Sequence, residues 1–98
     1  MSVYVVNAYD INNPETFKQY PPRVAQLLPK YGGKVLAMDT EPKALEGKPR
    51  TMNAIIEFPS VESVMGFYND PEYQSIIHLR HDSTSNTTML MLKGFEKK

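Results

Sequence analysis

Apolar and polar positions in the first third of the chain change from a strand pattern to a helical one. The segment Val3–Tyr9 is largely apolar on both of the faces that an alternating strand presents, which is typical of a strand covered on both sides. Asn13 and Pro14 then have the residue types of a helix cap and a first helical position. Apolar residues follow at helical spacing as far as Tyr31, where Gly32 can take the left-handed conformation that ends a helix.

A proline pair, Pro21-Pro22, interrupts this helical segment. Proline removes a backbone donor and clashes with the preceding turn, so the pair predicts either a kink or two shorter helices. A short strand is predicted next, over Lys34–Met38. The polar segment Asp39–Arg50 contains prolines and a glycine and predicts an irregular excursion, in which Ala44–Glu46 could add a short strand.

The pattern of strand and helix repeats in the second half. Branched and aromatic residues predict a buried strand from Met52 to Phe58. Ser60 is placed to cap a helix that runs to Tyr68, and Asp70-Pro71 has the residue types that begin another. A polar loop is predicted over His81–Asn86 and a final strand over Thr87–Leu92.

The predicted order βαββαβ is that of an α+β, ferredoxin-like fold, with a four-stranded antiparallel sheet and both helical segments on one face. Apolar residues are also predicted on the helix-free face, and Val5, Ile55 and Met89 or Leu90 are candidates for it. Nothing else in the sequence could cover that face. A second copy of the sheet could, which predicts a homodimer through the helix-free face.

Length and charge exclude several classes of protein. With 98 residues the chain is predicted to form one domain, with a core over about residues 3–94 and a short tail at 95–98. Eleven basic residues balance eleven acidic ones, which argues against nucleic acid or a membrane surface as a partner. Cysteine is absent, so the sequence offers no disulfide and no thiolate. The N-terminus lacks the pattern of a signal peptide and no apolar run reaches membrane length, so we expect a cytoplasmic protein.

An ordered set of short motifs resembles one family, the domain of unknown function 1330. The motifs extend over about residues 3 to 94 and are Phe17-x-x-Tyr20, Tyr31-Gly32-Gly33, Glu57-Phe58-Pro59-Ser60, Phe67-Tyr68, Pro71-Glu72-Tyr73 and Leu79-Arg80. The resemblance implies a dimeric α/β barrel. Related barrels include cofactor-free monooxygenases, isomerases and dehalogenating enzymes, so it also implies a small-molecule pocket that works without a cofactor.

Arg80 is the first candidate for ligand binding. It falls on the side of the last helix that also presents Tyr73, so its aliphatic stem would lie on apolar surface while its guanidinium binds a carboxylate with two hydrogen bonds. The alternative is a structural ion pair with an acid such as Glu57. Glu57 itself, on a largely apolar strand, is a candidate base if it is buried.

Tyr20 and Tyr73 are predicted to line a pocket between the helices and the sheet, because both fall on inward helix faces and a buried phenol needs a hydrogen-bond partner. His78 is a further candidate ligand-binding residue. His78, His81 and Asp82 would share a helix face, as a metal site requires, but the loop predicted from His81 breaks that geometry, so we predict no metal.

Two classes of function are open on the sequence. The first is a small cofactor-free enzyme or binding protein for an apolar molecule with a carboxylate or polar group. The second is a non-catalytic dimeric module for interaction or ligand sensing. A cavity that contains polar groups would favour the first, and a solidly packed helix–sheet interface would favour the second.

Overall fold

The computed structural model describes residues 2–95 and confirms the predicted βαββαβ order. The strands are β1 (Val3–Ile11), β2 (Lys34–Asp39), β3 (Met52–Phe58) and β4 (Thr84–Lys93). The helices are α1 (Pro14–Phe17), α2 (Tyr20–Leu27), α3 (Val61–Asn69) and α4 (Pro71–His81), with a 3₁₀ turn at Leu28–Tyr31. The predicted tail at 95–98 lies outside the described residues except for Phe95.

The sheet is antiparallel throughout, in the order β2-β3-β1-β4, which confirms the ferredoxin-like fold. Alternate residues of β1 are buried from Val3 to Tyr9, and β3 follows the same alternation from Met52 to Phe58. These side chains share one sheet face, since Val3 pairs with Phe58 and Tyr9 with Met52. The helices pack on this face, and the core lies between the two layers.

The proline pair divides the first helical segment into two helices. Helix α1 ends at Phe17, and α2 begins at Tyr20 with Pro21 and Pro22 in its first turn. A proline costs little there, because the first backbone N–H groups of a helix have no intrahelical acceptor. Of the two outcomes predicted for the pair, two shorter helices is therefore the correct one.

The predicted caps are present. The side chain of Asn13 accepts a hydrogen bond from the backbone N–H of Thr16 at 3.2 Å. In the same way Ser60 accepts from Ser63 at 3.1 Å, and Asp70 accepts from Glu72 at 2.8 Å. Gly32 ends the 3₁₀ turn at a φ of 73°, the left-handed conformation for which glycine has no steric penalty. These local interactions fix where α1, α3 and α4 begin and where the 3₁₀ turn ends.

Two segments differ from the secondary structure that the sequence predicted for them. Within the segment His81–Asn86 only Asp82 and Ser83 form a turn, since α4 runs through His81 and β4 already begins at Thr84. Its polar residues pair with the end of β1 through a bulge at Asn86, whose amide donates to Asp10 at 2.9 Å. No strand forms at Ala44–Glu46, which has no neighbouring strand to pair with among the described residues.

The residues on the helix-free face of the sheet differ in part from those predicted. Val5 is wrong, because the register puts it on the helix-covered face, and of the alternatives Met89 and Leu90 the register also puts Met89 there. Ile55 and Leu90 belong to the helix-free face, where they stay 38% and 52% exposed, and Leu92 beside them is 48% exposed.

Within residues 2–95 no helix has the length and apolar character needed to cross a bilayer.

Candidate functional site

A cavity of about 730 Å³ lies between the helices and the sheet. This volume is within the range of small-molecule sites. Its lining is largely apolar and includes Val5, Ala54, Ile56, Phe58 and Met89 from the sheet and Phe17, Val24, Leu28, Val64 and Phe67 from the helical layer. Its polar lining is sparse, and Asn7, Tyr9, Tyr20, Tyr73, Arg80 and His81 are its main members.

Arg80 is the charged group of this cavity. It projects from the last turn of α4 and is only 3% exposed. Its guanidinium carbon lies 6.0 Å from the ring centre of Tyr9 and 5.9 Å from that of Tyr20. Within the described chain no carboxylate forms an ion pair with it, and its buried Nε has no hydrogen-bond partner. Arg80 is therefore a buried cation without a counter-ion among residues 2–95.

The guanidinium nevertheless stays charged. Burial acts to lower the pKa of Arg80, but the phenols of Tyr20 and Tyr73 outweigh it, and the net direction of the pKa is upward. Aromatic faces at about 6 Å attract a cation, although they do not replace the hydrogen bonds that a carboxylate would accept.

Tyr20 and Tyr73 form a hydrogen-bonded pair of phenols beside Arg80, with their oxygens 2.6 Å apart. Tyr73 has no solvent exposure and Tyr20 is 7% exposed. Burial, and then the neighbouring Tyr73, raises the pKa of Tyr20 well above its ordinary value. The phenol of Tyr20 therefore serves as a hydrogen-bond donor or acceptor at neutral pH and not as an anion.

Tyr9 and His81 complete the surroundings of the arginine. Burial raises the pKa of Tyr9 to about 12, with Arg80 opposing the shift. The Nε2 atom of His81 lies 3.5 Å from the Nη2 atom of Arg80, and the ring itself is exposed at the edge of the cavity. The sequence predicted a loop from His81, and its place on α4 instead brings it next to the arginine.

Two of the predicted residues lie elsewhere. Glu57 is on the helix-free face, where it accepts a hydrogen bond from the phenol of Tyr4 at 3.2 Å, so it neither lines the cavity nor pairs with Arg80. The alternation of β3 explains this, because Ile56 and Phe58 on either side of Glu57 point to the helices. His78 lies on the exposed side of α4 and does not line the cavity.

Asn7 lines the cavity but was not among the predicted residues. It follows Val5 on the buried face of β1 and is 8% exposed, and its Oδ1 atom has no hydrogen-bond partner in residues 2–95. A polar residue in the alternating buried set of a strand is the sequence pattern that could have identified it.

The grouping of Arg80 with two phenols in an apolar cavity suits a ligand with one anionic end. The guanidinium offers two parallel donors, which match the geometry of a carboxylate, and the phenols can donate to a nearby oxygen. Within the described residues no cluster of three histidine, cysteine or acidic side chains could hold a metal ion.

Solved structures with the same fold come from several organisms. A protein of unknown function from Rhodopseudomonas palustris is 19% identical, with a TM-score of 0.82, and the match covers 98% of this chain and 84% of that one. A dimeric ferredoxin-like protein of unknown function from Jannaschia sp. CCS1 is 10% identical, with a TM-score of 0.75, over 96% of this chain and 100% of that one.

A third similar structure is SnoaB, a cofactor-independent oxygenase from Streptomyces nogalater. It is 11% identical, with a TM-score of 0.71, over 98% of this chain and 95% of that one. At these identities the likeness shows the fold alone. The search of curated proteins found no match. The family model described as Domain of unknown function (DUF1330) matches residues 2–95, and the chain belongs to that family.

Proposed function

We propose that the protein binds a small, largely apolar molecule with a carboxylate group, in the cavity between the helices and the sheet. Arg80 is the carboxylate anchor, and Tyr20 and Tyr73 are the neighbouring donors. The observation that supports this is the burial of Arg80 at 3% exposure without an acidic partner in the described chain.

A ligand carboxylate would compensate the cost of burying the charge of Arg80. A buried charge without a partner is costly, because the cavity wall does not replace the hydrogen bonds that water made to the guanidinium. A ligand carboxylate would supply both a counter-charge and acceptors, while the apolar lining would take up the rest of the molecule. Of the alternative functions, a non-catalytic module for interaction alone needs no such cavity, whereas a ligand-sensing module would use it.

The test compares an acid with its neutral analogue. Calorimetric titration with 2-naphthoic acid and with 2-naphthylmethanol should show binding of the acid and much weaker binding of the alcohol. Arg80→Met, which keeps an apolar stem but removes the charge, should weaken binding of the acid by about 1.5–3 kcal/mol, roughly 10- to 150-fold in affinity. Arg23→Met changes an exposed arginine on α2 and should leave the affinity unchanged.

Two results would count against the proposal. If the wild-type protein binds neither compound, the cavity is not a site for aromatic acids. If Arg80→Met lowers the melting temperature and leaves the affinity for the acid unchanged, the arginine is structural and the assignment of the anchor is wrong.

Conversion of the bound molecule without a cofactor is a second candidate. It is favoured by His81, whose Nε2 lies 3.5 Å from Arg80. A neutral imidazole there could take a proton from an acidic C–H group while the guanidinium and the phenols stabilise the resulting oxyanion. SnoaB, a cofactor-independent oxygenase, has the same fold.

Phenylpyruvate tests this second candidate, since it has a carboxylate and acidic protons at C3. We expect the protein to accelerate exchange of these protons in D₂O, measured by NMR, and His81→Gln to abolish the acceleration. Exchange at the rate of the buffer alone would contradict catalysis by His81 and leave binding at Arg80 as the function.

We also propose that the protein is a homodimer through the helix-free sheet face. Exposed Ile55, Leu90 and Leu92 on this face support it, and so does the description of the Jannaschia protein as dimeric. Light scattering should give a dimer mass at micromolar concentration, and Leu92→Asp should give a monomer. Leu45→Asp, in a loop where the leucine is 94% exposed, is the matched control and should stay dimeric. A monomeric wild-type protein would rule the interface out.

A further inference from the structure

Asn7 is a buried polar group that the fold does not need. It occupies the third position of the buried set Val3, Val5, Asn7 and Tyr9 on β1, where valine would have the higher strand propensity and no polar atom to pair. Its Oδ1 atom is fully buried and finds no donor within the part of the chain that the structure describes. A buried acceptor without a donor destabilises a fold, so its presence suggests a role outside folding.

The space beside Asn7 is open to the cavity. Its partner in β3 is Ala54, which has only a methyl group, and its partner in β4 is Met89, which is unbranched and flexible. All three residues line the cavity. A ligand could therefore reach the amide without displacing a bulky side chain.

Asn7 and Arg80 line the same cavity, and Tyr9 is a neighbour of both. Tyr9 is two residues from Asn7 on the same face of β1, about 7 Å along the strand. The guanidinium carbon of Arg80 lies 6.0 Å from the ring centre of Tyr9. A ligand of one or two fused rings held by Arg80 can thus extend over Tyr9 towards Asn7.

We infer that Asn7 is a specificity-determining residue of this cavity and that it selects aromatic or alicyclic acids that also bear a hydroxyl group on the ring system. This rests on the proposed function, because Arg80 holds the carboxylate of the same ligand. Rotation of the Asn7 amide about χ2 can present either Oδ1 or Nδ2 to the cavity, and a hydroxyl pairs with either atom because it both donates and accepts. An acid without the hydroxyl leaves the amide unpaired.

The experiment compares 2-naphthoic acid with its monohydroxy derivatives, with the hydroxyl placed in turn at each ring position that is not adjacent to the carboxylate. We expect at least one isomer to bind the wild-type protein about tenfold or more tightly than the parent acid. Asn7→Leu, which keeps the branched shape without a polar atom, should bind the hydroxy isomers no more tightly than the parent acid. Asn7→Ala provides the same test if the leucine variant does not fold.

The outcomes separate this inference from the proposed function. If the parent acid binds through Arg80 but no isomer is preferred, or if the preference survives in both Asn7 variants, the role of Asn7 is refuted and the carboxylate site stands. If neither the parent acid nor any hydroxy acid binds, the proposed function and this inference fail together.

Discussion

The phenol oxygens of Tyr20 and Tyr73 lie 2.6 Å apart, although the two residues are 53 positions apart in the chain. Tyr20 is the first residue of α2, immediately before the proline pair, and Tyr73 is in the first turn of α4. The hydrogen bond therefore joins the helical segments of the two halves of the fold on one side of the cavity.

The first prediction is that Tyr20→Phe and Tyr73→Phe each lower the free energy of unfolding by about 1 kcal/mol, because each leaves one buried phenol unpaired. The double variant should lose less than the sum of the two, since it leaves no unpaired oxygen. Urea unfolding of the wild-type protein, the two single variants and the double variant gives a double-mutant cycle. Strictly additive losses would show that the hydroxyl groups do not interact in solution.

A second group of hydrogen bonds, centred on Asp70, joins the 3₁₀ turn to the start of α4. The carboxylate of Asp70, which is 6% exposed, accepts hydrogen bonds from the phenol of Tyr31, from Lys30 at 3.1 Å and from the backbone N–H of Glu72 at 2.8 Å. The hydrogen bond from Tyr31, followed by that from Glu72, lowers the pKa of Asp70 from its ordinary value of 3.8 to about 2.

The second prediction follows from this pKa. Because the folded protein holds the proton less tightly than the unfolded chain, Asp70 stabilises the fold fully above its ordinary pKa. This stabilisation is lost as the pH falls from about 4 towards the folded value of about 2. Urea unfolding between pH 2.5 and 5.5 should show a weaker pH dependence in Asp70→Asn than in the wild-type protein.

Asp82→Asn is the control for this experiment, because it removes an exposed carboxylate at the other end of the same helix. We expect it to keep the pH dependence of the wild-type protein. If Asp70→Asn and the wild-type protein lose stability in parallel over this range, the carboxylate is not the group that confers acid sensitivity.

Local sequence patterns predicted the fold well because the interactions that set it are short in range. The caps at Asn13, Ser60 and Asp70 act within one helical turn, and the alternation of β3 acts within one strand. The start of β4 was missed, because its polar residues are held by pairing with β1, which lies more than 70 positions away in the chain.

Prediction of the candidate site was weaker, because it needed side-chain directions. Arg80 and Tyr73 were grouped by helical spacing, which the structure also shows. Glu57 was misplaced because apolar neighbours on a strand do not reveal which of its two faces meets the helices. Whether Arg80 has an acidic partner is a tertiary property that no local pattern contains.

The third prediction concerns Gly66, in the interior of α3. Alanine usually stabilises a helix interior by about 1 kcal/mol relative to glycine. Here a Cβ atom would lie 2.9 Å from the Cε1 atom of Tyr31, whose phenol is held by Asp70. We therefore expect Gly66→Ala to lower the melting temperature, because the ring must move and weaken that hydrogen bond.

Removal of the ring provides the control for Gly66. In a Tyr31→Ala background the added methyl meets no ring, so Gly66→Ala should raise the melting temperature of that background. The close approach would be irrelevant if Gly66→Ala had the same effect with and without the tyrosine.

The last prediction concerns a substitution that fills the cavity from the side of the sheet. Ala54 lies on the helix-covered face of β3 and lines the cavity, so Ala54→Leu places a larger apolar side chain in the space that the ligand needs. Filling a cavity commonly stabilises a protein by about 0.5–2 kcal/mol. We therefore expect Ala54→Leu to unfold at higher urea concentration and to lose binding of 2-naphthoic acid, measured by calorimetric titration. Ala54→Ser, which adds only a hydroxyl, is the matched control and should keep the affinity. Binding of the acid by Ala54→Leu at wild-type strength would show that aromatic acids occupy some other part of the protein.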